Sequence, residues 1–367
     1  MSLSPNCVSR KNNTHPVYIQ EDLFDSLVMK VRKFFTRILP ALFLLIFALI
    51  LLFPNMTMKG EKGESPVTTA YETINMSDST NPKDNSVALK NFKVLTYNVW
   101  FDSFEFNSRM QCIIDQTLEL QPDVCCFQEV LPAFAAMLQD HTELNKLYVM
   151  SPFTASSYGT MTLARREVSP RFDTIEFPSH MGRSLLKTVC VVNGSSIAIG
   201  NVHLESLGNE KLRRKQLIIC EDALKRYSSS ILVGDFNFCS ERNFHIVPNA
   251  PLENDVLQQV LPSYVDVWPS LHQSLLHGEQ AVGYTFDSEV NKMFTKNERM
   301  RYDRVMARCV QGGGDAAGEG GGLVAPSEIA LVGVQALQTA AGEPRVWPSD
   351  HFGLLVSFQL ARSDALS

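Results

Sequence analysis

The sequence predicts an α/β fold, namely a four-layer α/β sandwich of two mixed β-sheets flanked by helices, with an N-terminal transmembrane helix. From about residue 90 onward, short apolar segments with strand character alternate with segments of helical periodicity. Between residues 161 and 204 several strands follow one another without a helix, which argues against a purely parallel sheet. A long uncharged apolar segment lies near the N-terminus.

Composition limits the class of protein. The chain has 367 residues, of which 45% are hydrophobic, enough for one large domain with a sizeable core. The net charge of −6 argues against a generally basic nucleic-acid binder, although it does not exclude a local basic groove. The eight cysteines show no zinc-site spacing. Cys125, Cys126 and Cys190 lie in apolar segments, so we expect them in the core, and no disulfide is required.

The N-terminal region divides into three parts. Residues 1–33 form a polar tail, residues 34–54 a transmembrane signal-anchor helix, and residues 55–89 a linker rich in Ser, Thr, Asn and Pro. The segment is uncharged from Ile38 to Phe53 and approaches the roughly 20 residues that a helix needs to cross a bilayer. A cleaved signal peptide is the alternative, but no small-x-small cleavage site follows.

Flanking charges predict the orientation of a single-pass membrane protein. Lys30, Arg32, Lys33 and Arg37 lie on the N-terminal side of the apolar segment. The positive-inside rule therefore places the N-terminus in the cytosol and the remaining chain on the lumenal or extracellular side.

Residues 90–362 are predicted to form one catalytic domain, with a Gly-rich loop insertion at residues 311–322. The predicted strands are 92–100, 124–130, 161–165, 173–177, 185–192, 197–204 and 231–235, with further strands toward the C-terminus, and the predicted helices are 109–120, 131–139 and 212–226.

Residues 230–238 are the segment around which the chemistry is organised. A buried strand ends in Gly234 and is followed by Asp235 and Asn237, which share one face because side chains alternate along a strand. A carboxylate beside an amide can hold and deprotonate a water molecule. The alternative is an ordinary β-turn after a core strand.

Other predicted strands also end in polar side chains. Asn98 ends the first strand, and Glu129 ends an apolar strand, where a hard cation such as Mg²⁺ would be a suitable partner. Alternatively, Glu129 is a helix-start residue before Pro132. His203 ends a further strand and, taken alone, would be a satisfied core residue. Asp350 and His351 precede the last strand.

Taken together, these residue types are those of a phosphodiesterase. Phosphodiester hydrolysis needs a metal ion, a positioned water molecule and cationic hydrogen-bond donors. The sequence contains no nucleophilic Ser or Cys motif, which favours direct attack by water.

The order of the motifs resembles that of the endonuclease/exonuclease/phosphatase superfamily and, within it, the tyrosyl-DNA phosphodiesterase 2 group, which releases tyrosine from 5′ DNA ends. The similarity spans roughly residues 90–360. It rests on Thr96-Tyr97-Asn98, Gln128-Glu129, Phe177-Pro178-Ser179, Met181, Arg183, His203-Leu204-Glu205-Ser206, Gly234-Asp235-Phe236-Asn237, Val265-Asp266-Val267-Trp268, Tyr284-Thr285-Phe286-Asp287, Arg301-Tyr302-Asp303-Arg304 and Pro348-Ser349-Asp350-His351-Phe352-Gly353-Leu354-Leu355.

The resemblance implies a role for each matched position. Catalytic roles fall to Asp235, Asn237, His203, His351, Asp303 and Asp350, with Asp303 accepting a hydrogen bond from His351. Glu129 would ligate Mg²⁺, or Mn²⁺ in its place, with Asn98 and Asp350 near the metal. Ser206 would seat the phosphate, and Arg183, Tyr158, Phe286 and Tyr302 would hold the tyrosine. The implied partners are DNA 5′ ends carrying tyrosine or a topoisomerase remnant, bound by a monomer.

Some positions depart from the family pattern. Tyr97 and Phe286 replace tryptophans, and Phe238-Cys239 replaces Leu-Arg, which removes a basic residue that would face DNA. The remaining local basic groups, which are otherwise solvated surface, are Arg165, Arg166, Arg171, Lys211, Arg213, Arg214 and Lys215. A membrane anchor also conflicts with DNA repair. Alternatives are therefore a membrane-tethered phosphodiesterase for phospholipid, inositol phosphate or nucleotide substrates, and a catalytically silent adaptor.

Overall fold

The structure is a computed structural model and describes residues 89–245, 249–272, 282–294, 297–309, 322–337 and 345–360. The predicted polar tail, the predicted transmembrane helix (34–54), the linker up to residue 88 and all but the last residue of the Gly-rich insertion lie outside these ranges. Within the described ranges, no helix has the length and apolar character needed to cross a membrane.

Strands and helices alternate much as the sequence predicts. The strands are β1 (Asn91–Asn98), β2 (Val124–Val130), β3 (Tyr148–Met150), β4 (Gly159–Arg165), β5 (Arg171–Glu176), β6 (Ser184–Val192), β7 (Ser195–His203), β8 (Ser229–Asp235), β9 (Val265–Asp266), β10 (Phe286–Asp287), β11 (Arg299–Met300), β12 (Asp303–Arg308), β13 (Leu323–Val332) and β14 (Gly353–Leu360). The α-helices are α1 (Phe106–Leu120), α2 (Pro132–Asp140), α3 (Thr142–Leu147), α4 (Glu210–Leu224), α5 (Val256–Val260) and α6 (Val267–His272).

Two six-stranded mixed sheets form the centre of the domain, as predicted. The first has the order β13-β14-β1-β2-β4-β3 and the second β5-β6-β7-β8-β12-β9, while β10 and β11 form a small separate hairpin sheet. Each large sheet contains one parallel pair, β1 with β2 and β7 with β8. The carboxyl ends of these paired strands therefore meet at one edge of each sheet.

The apolar residues divide into three clusters, as a four-layer sandwich requires. In β1, Val94 belongs to the cluster between the two sheets, whereas Leu95 packs outward against α1 and α2. On the second sheet, Leu232 packs outward against α4 and α5. Because successive strand residues point to opposite faces, each sheet contributes to an inner and an outer core. Cys125, Cys126 and Cys190 are buried and unpaired, as expected.

A buried polar contact joins the two sheets just below the strand ends. Gln128 of β2 donates from Nε2 to Oδ1 of Asn201 in β7 at 2.9 Å, and Asn201 Nδ2 donates to the Phe127 carbonyl at 3.2 Å. Buried amides are stabilising only when their partners are in place, so this contact specifies how the sheets align. It brings Glu129 and His203, the next polar residues along each strand, to the same edge.

Candidate active site

The end of β8 depends on Gly234. Its φ of +133° lies in the region that favours glycine, and a Cβ there would lie 1.9 Å from the Val202 carbonyl oxygen. Only glycine therefore lets β8 lie this close to β7. The strand registers then pair Asp235 with His203 of β7 on one side and with Asp303 of β12 on the other.

Asp235 is buried, and both of its carboxylate oxygens accept hydrogen bonds. Oδ1 accepts from the Asn237 backbone N–H at 2.8 Å, and Oδ2 accepts from Asn98 Nδ2 at 3.1 Å. His203 Nε2 lies 3.5 Å from the same Oδ2. Asn237 has a left-handed φ of 57° and donates from Nδ2 to the Leu204 carbonyl at 3.0 Å. The predicted pair thus meets at one point, with Asn237 orienting the carboxylate.

Glu129 is the last residue but one of β2 and has a left-handed conformation, with φ at 58°. Its Oε1 accepts from Asn98 Nδ2 at 3.2 Å and its Oε2 from the Phe101 backbone N–H at 3.1 Å. Helix α2 begins only at Pro132, which is suited to the first turn of a helix. Glu129 is therefore a strand-end residue that faces the site, and the helix-start alternative does not apply.

The charges of Glu129 and Asp350 repel one another in a poorly solvated site. Burial, followed by the charge of Asp350, raises the pKa of Glu129 to about 7. Burial also raises the pKa of Asp350 to about 6, with Asp235 and Asp303 adding to the effect and His351 opposing it. A cation between such carboxylates would relieve both desolvation and repulsion.

These oxygen donors fit Mg²⁺ or Mn²⁺. Magnesium is commonly held by one or two carboxylates together with water molecules, and Glu129 and Asp350 supply that set. The described residues contain no group of three or more His, Cys, Asp or Glu side chains arranged for metal binding, as a structural zinc site would need. Asn98 turns its amide nitrogen toward the carboxylates while its Oδ1 accepts from the Trp100 N–H at 3.0 Å, so its contacts orient Glu129.

The two histidines carry different charges. His351 Nδ1 lies 2.7 Å from Oδ2 of the fully buried Asp303, the pairing predicted from the sequence. Burial alone would lower the pKa of His351, but the charges of Asp303 and Asp350 outweigh it and hold that pKa well above its ordinary value. His351 is thus an imidazolium whose Nε2–H is available to a phosphate oxygen.

His203 is neutral. Its Nδ1 lies 2.9 Å from Nη1 of Arg183, and a guanidinium can only donate, so Nδ1 accepts and the proton resides on Nε2. Burial, followed by the charge of Arg183, lowers the pKa of His203 to about 3. The Nε2–H of His203 consequently faces Asp235 and lies 4.0 Å from Glu129 Oε1.

Arg183 and Ser206 lie together beside His203. Arg183 is 6% exposed, and its Nη2 donates to Ser206 Oγ at 3.1 Å. Its guanidinium carbon lies 5.2 Å from the centroid of the Tyr158 ring, a cation–π geometry. The predicted tyrosine-binding Arg183 therefore also contacts His203, a predicted catalytic residue, and Ser206, the predicted phosphate-binding serine.

The contacts of the predicted tyrosine pocket fall into two aromatic groups, one beside each histidine. Tyr158 stacks on Phe101 at 4.8 Å and lies 6.3 Å from His203. On the other side, Phe286 lies 5.3 Å from His351, 5.9 Å from Tyr302 and 4.5 Å from Phe294. The sequence predicted Tyr158, Phe286 and Tyr302 but not Phe101 or Phe294, because a single aromatic in a loop carries no pattern.

Arg109 is a further residue that the sequence did not single out. It is fully buried and donates to the backbone carbonyls of Val99, Trp100, Asp102, Phe104 and Pro348. These contacts hold the loop after β1 against the segment that carries Asp350. Nothing in the sequence separates this arginine from a solvated helix residue.

Glu205 positions the segment before Arg183. It is fully buried and accepts from Ser179 Oγ at 2.6 Å and from the His180 N–H at 2.8 Å. Burial opposes ionisation, but these hydrogen bonds and one from Gln216 prevail and lower the pKa of Glu205. Its place in the His203–Ser206 motif was the available sequence signal.

One of the predicted basic groups is structural. Arg213 is fully buried and pairs with Glu253 at 2.6 Å, so it is no solvated or DNA-facing residue. Arg165 lies over the Tyr148 ring and is half-buried, and Arg166 donates to a backbone carbonyl but is exposed. These two therefore stay surface residues, since a long arginine side chain can contact neighbouring groups while its charge remains in solvent.

Comparison with known proteins defines the class. The profile of the Endonuclease/Exonuclease/phosphatase family matches residues 95–351, and the chain belongs to this family. Among solved structures, it is similar to D. rerio TDP2 complexed with single-strand DNA product (23% identity, TM-score 0.57, covering 73% of this chain and 99% of that chain). It is also similar to truncated Caenorhabditis elegans TDP2 (21%, 0.57, 73% and 97%) and to sphingomyelinase C from Streptomyces griseocarneus (16%, 0.50, 73% and 99%). No curated protein sequence matches the chain. At these identities the structural likenesses show a shared fold.

Proposed function

We propose that this protein is a Mg²⁺-dependent phosphodiesterase that hydrolyses 5′-phosphotyrosyl-DNA bonds by direct attack of water. One observation carries the proposal. Asp235, a neutral His203 and a charged His351 lie at the sheet edge where Glu129 is also found. Such a set can accept a proton and stabilise phosphate charge at the same time. A catalytically silent adaptor would not require this arrangement.

Each side chain has a distinct role in the proposed reaction. Glu129 and Asp350 would hold Mg²⁺, or Mn²⁺ in its place, which supplies Lewis-acid neutralisation of phosphate charge when bound. Asp235 accepts the proton of the attacking water at Oδ1, which is held by the Asn237 N–H and keeps a second lone pair. His203 and His351 donate from Nε2 to the phosphate oxygens as negative charge develops, and Ser206 seats the phosphate.

The surroundings of the site favour a tyrosyl substrate. Arg183 beside Tyr158 suits a phenol ring, whereas a polyphosphorylated inositol would call for several Lys and Arg side chains around the phosphates. A phenolate is also a better leaving group than an alkoxide because of its lower pKa. The similarity to a TDP2 structure with a DNA product supports a DNA 5′ end as the other half of the substrate.

Turnover of a 5′-phosphotyrosyl oligonucleotide by the full chain, solubilised in detergent with Mg²⁺, tests the proposal. Asp235→Asn should lower kcat by about 10²–10⁴-fold with little change in KM, because it removes help given only in the transition state. Asp222→Asn, at an exposed carboxylate on α4 that pairs with Lys225, is the matched control and should keep wild-type kcat. Full turnover by Asp235→Asn, or in excess EDTA, would contradict the mechanism. Preferred cleavage of inositol phosphates or sphingomyelin would contradict the substrate.

A further inference from the structure

Three exposed apolar side chains border the His203 side of the candidate site. Phe101, Met181 and Leu207 are 44%, 37% and 57% exposed, and we call them the apolar rim. Each adjoins a site residue: the Phe101 N–H bonds Glu129, Met181 Sδ lies 3.7 Å from Arg183 Nη2, and Leu207 follows Ser206. Exposed apolar side chains next to the residues of a polar site indicate a surface that binds an apolar group.

The backbone around Phe101 is held in place. Arg109 donates to the carbonyls of Trp100 and Asp102, the residues on either side of Phe101. Trp100 itself has a left-handed φ of 61° and lies under the Arg109 guanidinium at 4.5 Å. The exposed ring of Phe101 is therefore presented by a fixed backbone, as a binding surface requires.

The geometry around the ring suits a flat ligand. Phe101 and Tyr158 stack with their planes 22° apart, and Tyr158 lies next to both Arg183 and His203. An aromatic surface thus runs from the apolar rim to the phosphate-binding histidine. Flat rings gain from offset stacking and from the nearby guanidinium, whereas an acyl chain gains only from area burial.

We propose that Phe101 is a specificity-determining residue whose ring, with Tyr158 and the rest of the apolar rim, receives the aryl group of an aryl phosphodiester. This inference rests on the proposed function and deepens it. The Phe101 backbone N–H contacts Glu129 whatever its side chain, so removal of the ring leaves that hydrogen bond available.

Three substrates distinguish an aryl ester group from an alkyl ester group and from the acyl chains of a lipid. Two are thymidine 5′-phosphate diesters, one of a phenol and one of a fluorinated alcohol of matched acidity, and the third is sphingomyelin in detergent micelles. For the full chain with Mg²⁺, Phe101→Ala should raise KM for the aryl diester by roughly tenfold with kcat nearly unchanged. The alkyl diester should change less than about threefold, and Phe101→Trp should keep the aryl preference.

Phe104→Ala is the matched control. Phe104 lies in the same loop and is 43% exposed, but its contacts to Asp102 and Arg109 are made by its backbone. Phe104→Ala should leave the KM values for the aryl and the alkyl diester unchanged. Equal losses on the aryl and alkyl diesters, or equal effects of the two alanine variants, would overturn the role of Phe101. A loss confined to sphingomyelin would assign the apolar rim to acyl chains and overturn the aryl assignment. Failure of the wild-type protein to cleave any diester would instead overturn the proposed function itself.

Discussion

Oδ2 of Asp303 and Nδ1 of His351 lie 2.7 Å apart in the interior of the candidate site. The two residues are 48 positions apart in the chain, and only the pairing of β12 with β8 brings Asp303 to the site edge. The contact favours the charged form of His351, because the neighbouring carboxylates outweigh the effect of burial and hold the pKa of His351 well above its ordinary value.

Removal of that partner should make the reaction sensitive to pH. In Asp303→Asn the pKa of His351 should fall, so the imidazolium should be lost at a lower pH than in the wild-type protein. We expect kcat to drop by about tenfold or more at pH 8 and by less at pH 6. A pH profile of kcat between these values is the measurement. The same fractional loss at both pH values would show that Asp303 does not set the charge of His351.

The metal-free protein should lose stability as the pH rises from 6.5 to 8. The pKa of Glu129 is raised to about 7 and that of His351 is raised well above its ordinary value, so the folded protein binds more protons than the unfolded chain in this window. Stability therefore falls as the pH rises through this window, because the state that binds more protons is disfavoured when protons become scarcer. The pKa of His203 is lowered to about 3, so it is neutral in the folded protein, whereas about half of it is protonated in the unfolded chain at pH 6.5. Its contribution therefore opposes the fall, but it is small and ends within about one pH unit.

Thermal unfolding in EDTA at both pH values tests this expectation. Mg²⁺ should raise the Tm at pH 8 by about 2–4 °C for each kcal/mol of unfolding free energy that its binding restores. Glu129→Gln should weaken both the pH effect and the Mg²⁺ effect. Glu143→Gln, at an exposed carboxylate paired with Lys146, should retain them. A Tm of the wild-type protein that does not change when Mg²⁺ is added would contradict the assigned metal residues.

Loss of the hydroxyl should change the free energy of unfolding differently at two buried tyrosines. The Tyr97 hydroxyl is buried without a hydrogen-bond partner in the described part of the chain, whereas the Tyr148 hydroxyl donates to the Pro122 carbonyl at 2.8 Å. Tyr97→Phe should be neutral or stabilising, and Tyr148→Phe should cost about 1 kcal/mol. Denaturant unfolding of the two variants measures the difference. A clear loss of stability in Tyr97→Phe would show that its hydroxyl is satisfied.

The N-terminal region should act as a detachable anchor. We expect the full chain in the membrane fraction of cells and a variant lacking residues 1–54 in the soluble fraction, with equal phosphodiesterase turnover. The reason is the predicted anchor at residues 34–54, which is uncharged from Ile38 to Phe53 and is joined by a polar linker to the catalytic domain. Fractionation and assay of both proteins are the measurements. Aggregation of the shortened chain under native conditions would mean that the apolar segment belongs to the domain core.

Periodicity was sufficient to predict two mixed sheets flanked by helices, and strand-end chemistry indicated residues that the fold brings to one edge. Apolar runs predicted β1, β2, β7 and β8 with bounds close to those observed, because these central strands are buried on both faces of their sheets. The helix–strand pattern likewise predicted two mixed sheets, which the strand order confirms.

Side-chain partners could not be predicted in the same way. Nothing local indicates that Arg109 is buried beneath two loops, or that Arg213 pairs with Glu253 and is unavailable to DNA. Such contacts join residues far apart in sequence, and a buried arginine has the same local pattern as an exposed one.

The sequence by itself determined which polar residues lie at or next to the strand ends, namely Asn98, Glu129, His203 and Asp235, since an apolar run followed by a polar residue is a local pattern. Only the tertiary structure decided how they are charged and oriented. Strand register pairs Asp235 with both His203 and Asp303, and packing puts Arg183 on one histidine and Asp303 on the other. The two imidazoles therefore differ in charge because pKa values depend on neighbours and burial, which are properties of the folded chain.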